Sequence, residues 1–277
     1  MITVNSLSGG KTSSYMAVHY PADVEIFAIV RNESAKCGHP DKKVMQMAND
    51  RLQKTNPDYP EFIGTPEHVD TITAILDLEQ LIGKDITWVT SFMTFDELCR
   101  WKKAIPNQMK RFCTTWLKID PIFWHCFLRY EFVKMRCGFR ADEAERALTF
   151  STKYKYPIHQ NNYGKRQNKW ETVEWREGEF NLIDDLVFHP QVQRFWESKN
   201  ITFPPDSNCQ MCFWKNPQQL KQNFSDSPNV MEWAKGLEKE IMRTFKDVSL
   251  SDIERIPIQY DFAFGGGSGC QAGFCTD

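Results

Sequence analysis

Short apolar runs alternate along this chain with segments whose apolar residues recur at helical spacing. Ile2–Leu7, residues 25–30 and residues 86–90 read as strands, and residues 131–137 read as a buried strand ending at Gly138. Between them, residues 13–20 read as a helix with Thr12 or Ser13 as N-cap. Residues 41–54 are helical, with Val44, Met47, Ala48 and Leu52 on one face, and residues 121–130 form a third helix. Strands alternating with helices predict an α/β fold, a parallel sheet with helices on both faces. The pattern changes after about residue 150. Residues 153–176 are polar and aromatic without a clean period, whereas 191–198 and 231–245 again read as helices. The run Gly265-Gly266-Gly267-Ser268-Gly269 is a flexible hinge by composition. No internal repeat is present.

At 277 residues, the chain is long enough for one large α/β domain or a domain with a small lobe. Its 41% hydrophobic and 25% charged residues fit a globular protein and argue against disorder. The net charge of -2 does not point to nucleic acid, so any basic surface must be local. No signal-peptide pattern opens the chain, and no run approaches the ~18 apolar residues of a membrane span. A cytoplasmic protein with no membrane partner is therefore expected. Nine cysteines, an odd number, in a reducing compartment argue for core residues, metal ligands or reactive thiols rather than a disulfide framework.

The first chemical signal is Ser8-Gly9-Gly10-Lys11-Thr12-Ser13, at the junction of the first strand and helix. Glycines let backbone N–H groups approach a phosphate, the helix N-terminus adds partial positive charge, and Lys11 can neutralise an oxygen. The hydroxyls of Ser8, Thr12 and Ser13 can donate hydrogen bonds. A Walker loop would need glycine five positions before Gly10, where the chain has Asn5. The loop resembles the pyrophosphate loop of the PP-loop superfamily, the adenine nucleotide alpha-hydrolase-like proteins. That group includes ATP pyrophosphatases, tRNA thiolation enzymes and phosphoadenosine phosphosulfate (PAPS) reductases. The resemblance implies a Rossmann-like nucleotide-binding domain over 1–150, a substrate- and metal-binding region over 151–264 and a tail over 265–277. A second segment, Cys137-Gly138-Phe139-Arg140-Ala141-Asp142-Glu143, follows the 131–137 strand, where ligands of open parallel sheets gather. Arg140 is placed to meet a phosphate or sulfate bidentately. Asp142 and Glu143 are candidates for holding a metal such as magnesium or for capping the next helix. The segment is similar to the Gly-Ile-Arg-Ala-Asp-Glu stretch of PP-loop and PAPS reductase-like proteins.

Cys209-Gln210-Met211-Cys212 is a Cys-x-x-Cys pair after a loop-like stretch, which suits a metal knuckle better than a thioredoxin-like dithiol. Cys113, in Phe112-Cys113-Thr114-Thr115-Trp116-Leu117-Lys118-Ile119-Asp120-Pro121, lies in a segment that resembles the Cys-Cys…Lys-Val-x-Pro stretch of iron–sulfur adenylylsulfate reductases. The resemblance implies a [4Fe–4S] cluster held by Cys113, Cys209 and Cys212, with zinc as the competing metal. One cysteine of the tandem is replaced by Phe112. The fourth iron is then open, as suits sulfide delivery, or Cys270 or Cys275 of the tail supplies its ligand. A mobile tail cysteine also resembles the nucleophile of sulfonucleotide reductases, although their Glu-Cys-Gly-Ile-His-like signature is absent. Cys37, Cys99, Cys126 and Cys137 read as core.

Two stretches, residues 100–119 and 153–176, are basic, and the second interleaves Tyr154, Tyr156, Tyr163, Trp170 and Trp175. Either is a solvated face, or a surface for a nucleic-acid substrate. Because Gly-Gly-Lys is intact, the resemblance favours ATP over a sulfonucleotide (PAPS or adenylylsulfate). It implies adenylation with pyrophosphate release coupled to sulfur transfer, with Lys11 and Arg140 acting on the phosphates and a sulfur donor protein as partner. The alternatives are a reductase of PAPS or adenylylsulfate, with Cys270 or Cys275 as nucleophile and a thiol reductant as partner, and a non-catalytic nucleotide- and cluster-binding accessory protein.

Overall fold

The computed structural model describes residues 1–159 and 169–257. Strand β1 (Ile2–Leu7) leads into α1 (Lys11–His19) and β2 (Val24–Ala28). Helices α2 (Lys42–Thr55) and α3 (Asp70–Ile82) follow, then β3 (Ile86–Val89) and α4 (Phe95–Lys102). A short helix α5 (Phe112–Thr114) passes through a π-turn (Thr115–Ile119) directly into α6 (Asp120–Tyr130) and β4 (Val133–Cys137). After α7 (Glu145–Leu148) come β5 (Lys153–His159), β6 (Lys169–Glu174) and β7 (Arg176–Glu179). The described chain ends in helices α8 (Asn181–Asp184), α9 (His189–Glu197), α10 (Pro217–Asp226), α11 (Pro228–Ile241) and α12 (Leu250–Arg255).

Five strands form one all-parallel sheet in the order β3-β2-β1-β4-β7, flanked by helices. The fold is therefore α/β, as the strand–helix alternation predicts. Along β1, β2 and β3 alternate residues feed opposite cores, as the period of two demands. Leu7, Phe27 and Trp88 point into one core with Met16, Ile72 and Leu52 of the helices. Val4, Ile26, Ala28, Val89 and Met135 point into the other, against Ile122 and Phe123 of α6. A third core lies beyond the sheet, where α10, α11 and α12 meet Phe95 and Leu98 of α4 and Leu117 of the π-turn.

The chain runs outward from β1 to β2 and β3, then returns to place β4 on the other side of β1. The strand order therefore reverses between β1 and β4, which opens a crevice at their carboxyl ends.

Three local expectations change. Helix α1 begins at Lys11 with Gly10 at its cap, so neither Thr12 nor Ser13 is the N-cap. The stretch with no clean period contains an antiparallel pair, β5 with β6, in which Tyr154 and Tyr156 pack on Phe123 while Lys153 and Lys155 face outward. The sheet also takes its fifth strand, β7, from beyond residue 150, and α9 packs on α1. Among the described residues no helix is long and apolar enough to cross a membrane.

Candidate functional site

The crevice is built from two loops. Strand β1 ends at Leu7, and Gly9 turns the chain with φ +76°, in the left-handed region that disfavours a side chain. A Cβ on Gly9 would also lie 2.4 Å from Thr71 Cγ2 of α3. Ser13 fastens the turn from inside. Its Oγ accepts from the Ser8 amide at 3.1 Å and donates to the Gly10 carbonyl at 3.1 Å. Among the described residues no side chain caps α1, so its first-turn amides are left as donors for an outside acceptor.

The second loop leaves β4, whose Cys137 lies in register with Ser6 of β1. Gly138 then passes so close to α1 that an added Cβ would sit 2.9 Å from Ser13 Cα. This contact brings Arg140 across to the first loop, where its Nη1 donates to Thr12 Oγ1 at 2.9 Å. Asp142 takes hydrogen bonds from Arg140 Nε at 3.1 Å and Nη2 at 3.0 Å, and Glu143 pairs with Nη1 at 3.3 Å. Burial works against the Asp142 carboxylate, but the Arg140 hydrogen bonds and charge outweigh it and hold its pKa below the usual value. An incoming phosphate would compete with these carboxylates for Arg140.

The structure thus brings Ser8, Gly9, Gly10, Thr12, Ser13 and Arg140 together at one crevice. Lys11 starts the same helix, but its Nζ donates to Gln193 Oε1 of α9 at 2.7 Å, and Trp196 Nε1 donates to the Lys11 carbonyl at 2.8 Å. Gln193 and Trp196 carry no sequence signal for this role, because about two thirds of the chain separates them from the loop.

The cysteines of the expected metal site come from two distant segments. Cys113 sits on α5, just before the π-turn, an irregularity that often marks functional sites. Cys209 and Cys212 form a tight turn in which the Cys212 amide donates to the Cys209 carbonyl at 3.0 Å. All three line one cavity of about 40 Å³, together with Lys118 and Asn208. Among the described residues, however, no three His, Cys, Asp or Glu side chains are grouped so as to hold a metal ion. Three soft thiols around one cavity match the donor type of a cluster or of zinc, with one ligand fewer than four. Cys270 and Cys275 lie outside the described residues.

Burial raises all three thiols. Cys113 is pushed to about 11 by burial and by the nearness of Cys212, and burial lifts Cys209 and Cys212 as well. Beside them runs a buried ion pair that the motifs did not reveal, Lys118 Nζ to Glu67 Oε1 at 2.8 Å, with Glu67 1% exposed. Burial pulls the Lys118 ammonium down, but Glu67 and the thiols of Cys209 and Cys113 outweigh it and hold it above the ordinary lysine value. A permanent positive charge is thus kept next to groups that must become thiolates to bind a metal. The two sites also touch, since a Cβ on Gly10 would meet Ser207 Cβ at 3.1 Å, two residues before Cys209. Cys37, Cys99, Cys126 and Cys137 are buried in the cores.

Compared with protein-family models, with curated proteins and with solved structures, the chain matches none.

Proposed function

We propose that this chain is a PP-loop, PAPS reductase-like enzyme. It binds ATP at the β1–β4 crevice and couples adenylation of an acceptor to sulfur transfer. One observation carries the reading: the glycine loop with its uncapped helix and the Arg140 loop converge at the strand-order reversal, and the Cys209 segment lies against that same glycine loop. The amides of the Gly10–Thr12 turn and the Thr12 hydroxyl hold phosphate oxygens, and Arg140 takes one by exchanging its carboxylate partners. Lys11 leaves Gln193 to neutralise a further oxygen. An acceptor oxygen then attacks the α-phosphorus, the bond to the β-phosphate breaks, and pyrophosphate departs with the charge that Lys11 and Arg140 offset. Sulfur displaces AMP from the adenylylated acceptor in the second step. Cys113, Cys209 and Cys212 would hold an iron–sulfur cluster, whose open iron supplies sulfide when bound. The hairpin supports a nucleic-acid acceptor, because it presents Lys155 5.7 Å from the ring of Trp170, which is 44% exposed.

The test is calorimetric and enzymatic. Lys11→Ala leaves the core untouched and should weaken ATP binding about tenfold, the effect of one lost charged contact. Unchanged affinity would show the loop assignment to be wrong. Wild-type protein prepared anaerobically should release pyrophosphate from ATP with an acceptor present. Robust sulfite release from PAPS or adenylylsulfate, abolished by truncation after Phe264, would instead establish the reductase.

A further inference from the structure

Two strands away from the crevice, beyond the edge strand β3, a second cavity of about 620 Å³ opens between α6, the end of α2 and the segment after β3. The phosphate-loop chemistry uses none of its residues. Its floor is one face of α6, formed by Asp120, Trp124, His125 and Arg129, which follow one another at helical spacing. Tyr59 and Thr90 line the facing wall.

Three polar groups here keep hydrogen-bonding capacity that no described residue uses. His125 is 8% exposed, yet its ring makes no hydrogen bond, and burial together with the Arg129 charge lowers its pKa to about 4, so it is neutral at pH 7. Arg129 is exposed and makes no ion pair among the described residues. At the other end, Asp120 Oδ1 accepts from the Tyr154 hydroxyl at 2.6 Å and from Trp124 Nε1 at 3.2 Å, which leaves Oδ2 free to accept. The cavity is therefore polarised, with a cation at one end, an acceptor at the other, and a neutral imidazole with aromatic rings between them. Asp120 and Arg129 stand nine positions apart on one helix, ~13 Å along its axis, a span that a single small ring cannot bridge.

We propose that this cavity binds an elongated aromatic acid: a planar ring bearing an amino-group donor at the Asp120 end and a carboxylate or phosphate at the Arg129 end. The ring lies between Tyr59 and Trp124, where flat aromatic faces favour a planar guest. His125, neutral and unpartnered, hydrogen-bonds the middle of the ligand. The acid pairs with Arg129, whose planar fork suits carboxylate and phosphate equally. An acid docked in the reverse sense would meet the Asp120 carboxylate, so the orientation is fixed.

Two sources of this chemistry are distinguished by direct titration of the full chain. Cytidine monophosphate carries an amine and a phosphate, and 4-aminohippurate carries an aromatic amine and a carboxylate. Uridine monophosphate and hippurate are their amine-free partners. At least one amine-bearing probe should bind, and its partner should bind several-fold more weakly. Arg129→Ala, at an exposed position, should lower that affinity about tenfold, whereas Lys11→Ala should leave it unchanged. Binding lost in the Lys11 variant but kept in the Arg129 variant would place the probe in the crevice and overturn the proposal. So would the absence of binding by both amine-bearing probes, or equal binding by matched partners. Because the readout separates the two variants, it stands whether or not ATP is the crevice ligand.

Discussion

Glu25 shows how one buried group can set the pH response of this fold. It sits on β2 at 1% exposure, and its Oε1 accepts from Asn5 Nδ2 at 3.0 Å and from the Ala22 amide at 3.1 Å, while Oε2 is buried without a partner among the described residues. Burial raises its pKa to about 7, against the pull of those two hydrogen bonds. The folded state therefore keeps a proton that the unfolded chain gives up near the ordinary value of 4.5. The group's stabilising contribution is complete below that pH and is lost as pH rises through about 7. Glu25→Gln keeps the oxygen acceptor and cannot ionise. It should match the wild type in urea unfolding at pH 4 and exceed it by ~3 kcal/mol at pH 8. Parallel stability curves for the two proteins across this range would refute the assignment.

At the scale of elements, legibility followed how locally each one is specified. The four strands β1 to β4 were readable because each carries buried apolar residues, in β4 at every second position on either side of Lys134 and Arg136. Strand β7, Arg176-Glu177-Gly178-Glu179, has no apolar residue and was invisible. It forms because its acids meet the bases of β4 across the ladder: Lys134 pairs with Glu177 at 3.6 Å and with Glu179 at 3.4 Å, and Arg136 pairs with Glu179. Its neighbour hairpin was equally hidden, since its buried face is little more than two tyrosines. The glycine loop and the Arg140 loop could be found because each is contiguous in sequence. Gln193, Ser207, and the Glu67–Lys118 pair could not, because only the tertiary fold brings them to their sites. Helix α11 offers a test of propensity alone. Gly236 is exposed in its interior, and an added Cβ would meet no described residue within 4 Å. Gly236→Ala should therefore stabilise the protein by ~1 kcal/mol, read as a higher denaturant midpoint with an unchanged slope. A lower midpoint would mean that the helix needs its glycine for a reason the packing does not show.

At the scale of the whole molecule, the crevice and the cysteine cavity share their supports. The segment from Pro66 to Thr71 touches both. The Gln210 amide, inside the Cys-x-x-Cys turn, donates to the Pro66 carbonyl at 2.8 Å, Glu67 pairs with Lys118, and Thr71 packs against Gly9. Ser207 adds a direct contact between the cysteine segment and Gly10. A metal drawing in Cys113, Cys209 and Cys212 must displace protons from thiols that burial holds protonated, and it must order the turn that carries two of them. Ordering that turn fixes Ser207 and Pro66, and with them the glycine loop, so a nucleotide meets a loop already in place. Protein reconstituted anaerobically with iron and sulfide should then bind ATP about fivefold more tightly than metal-free protein, a coupling of ~1 kcal/mol. Linkage requires the converse: saturating ATP should slow extraction of the metal by a chelator. Serine at Cys209 should remove the iron and return ATP affinity to the metal-free value. Equal ATP affinities for loaded and metal-free protein would show that the two sites share a scaffold without exchanging free energy.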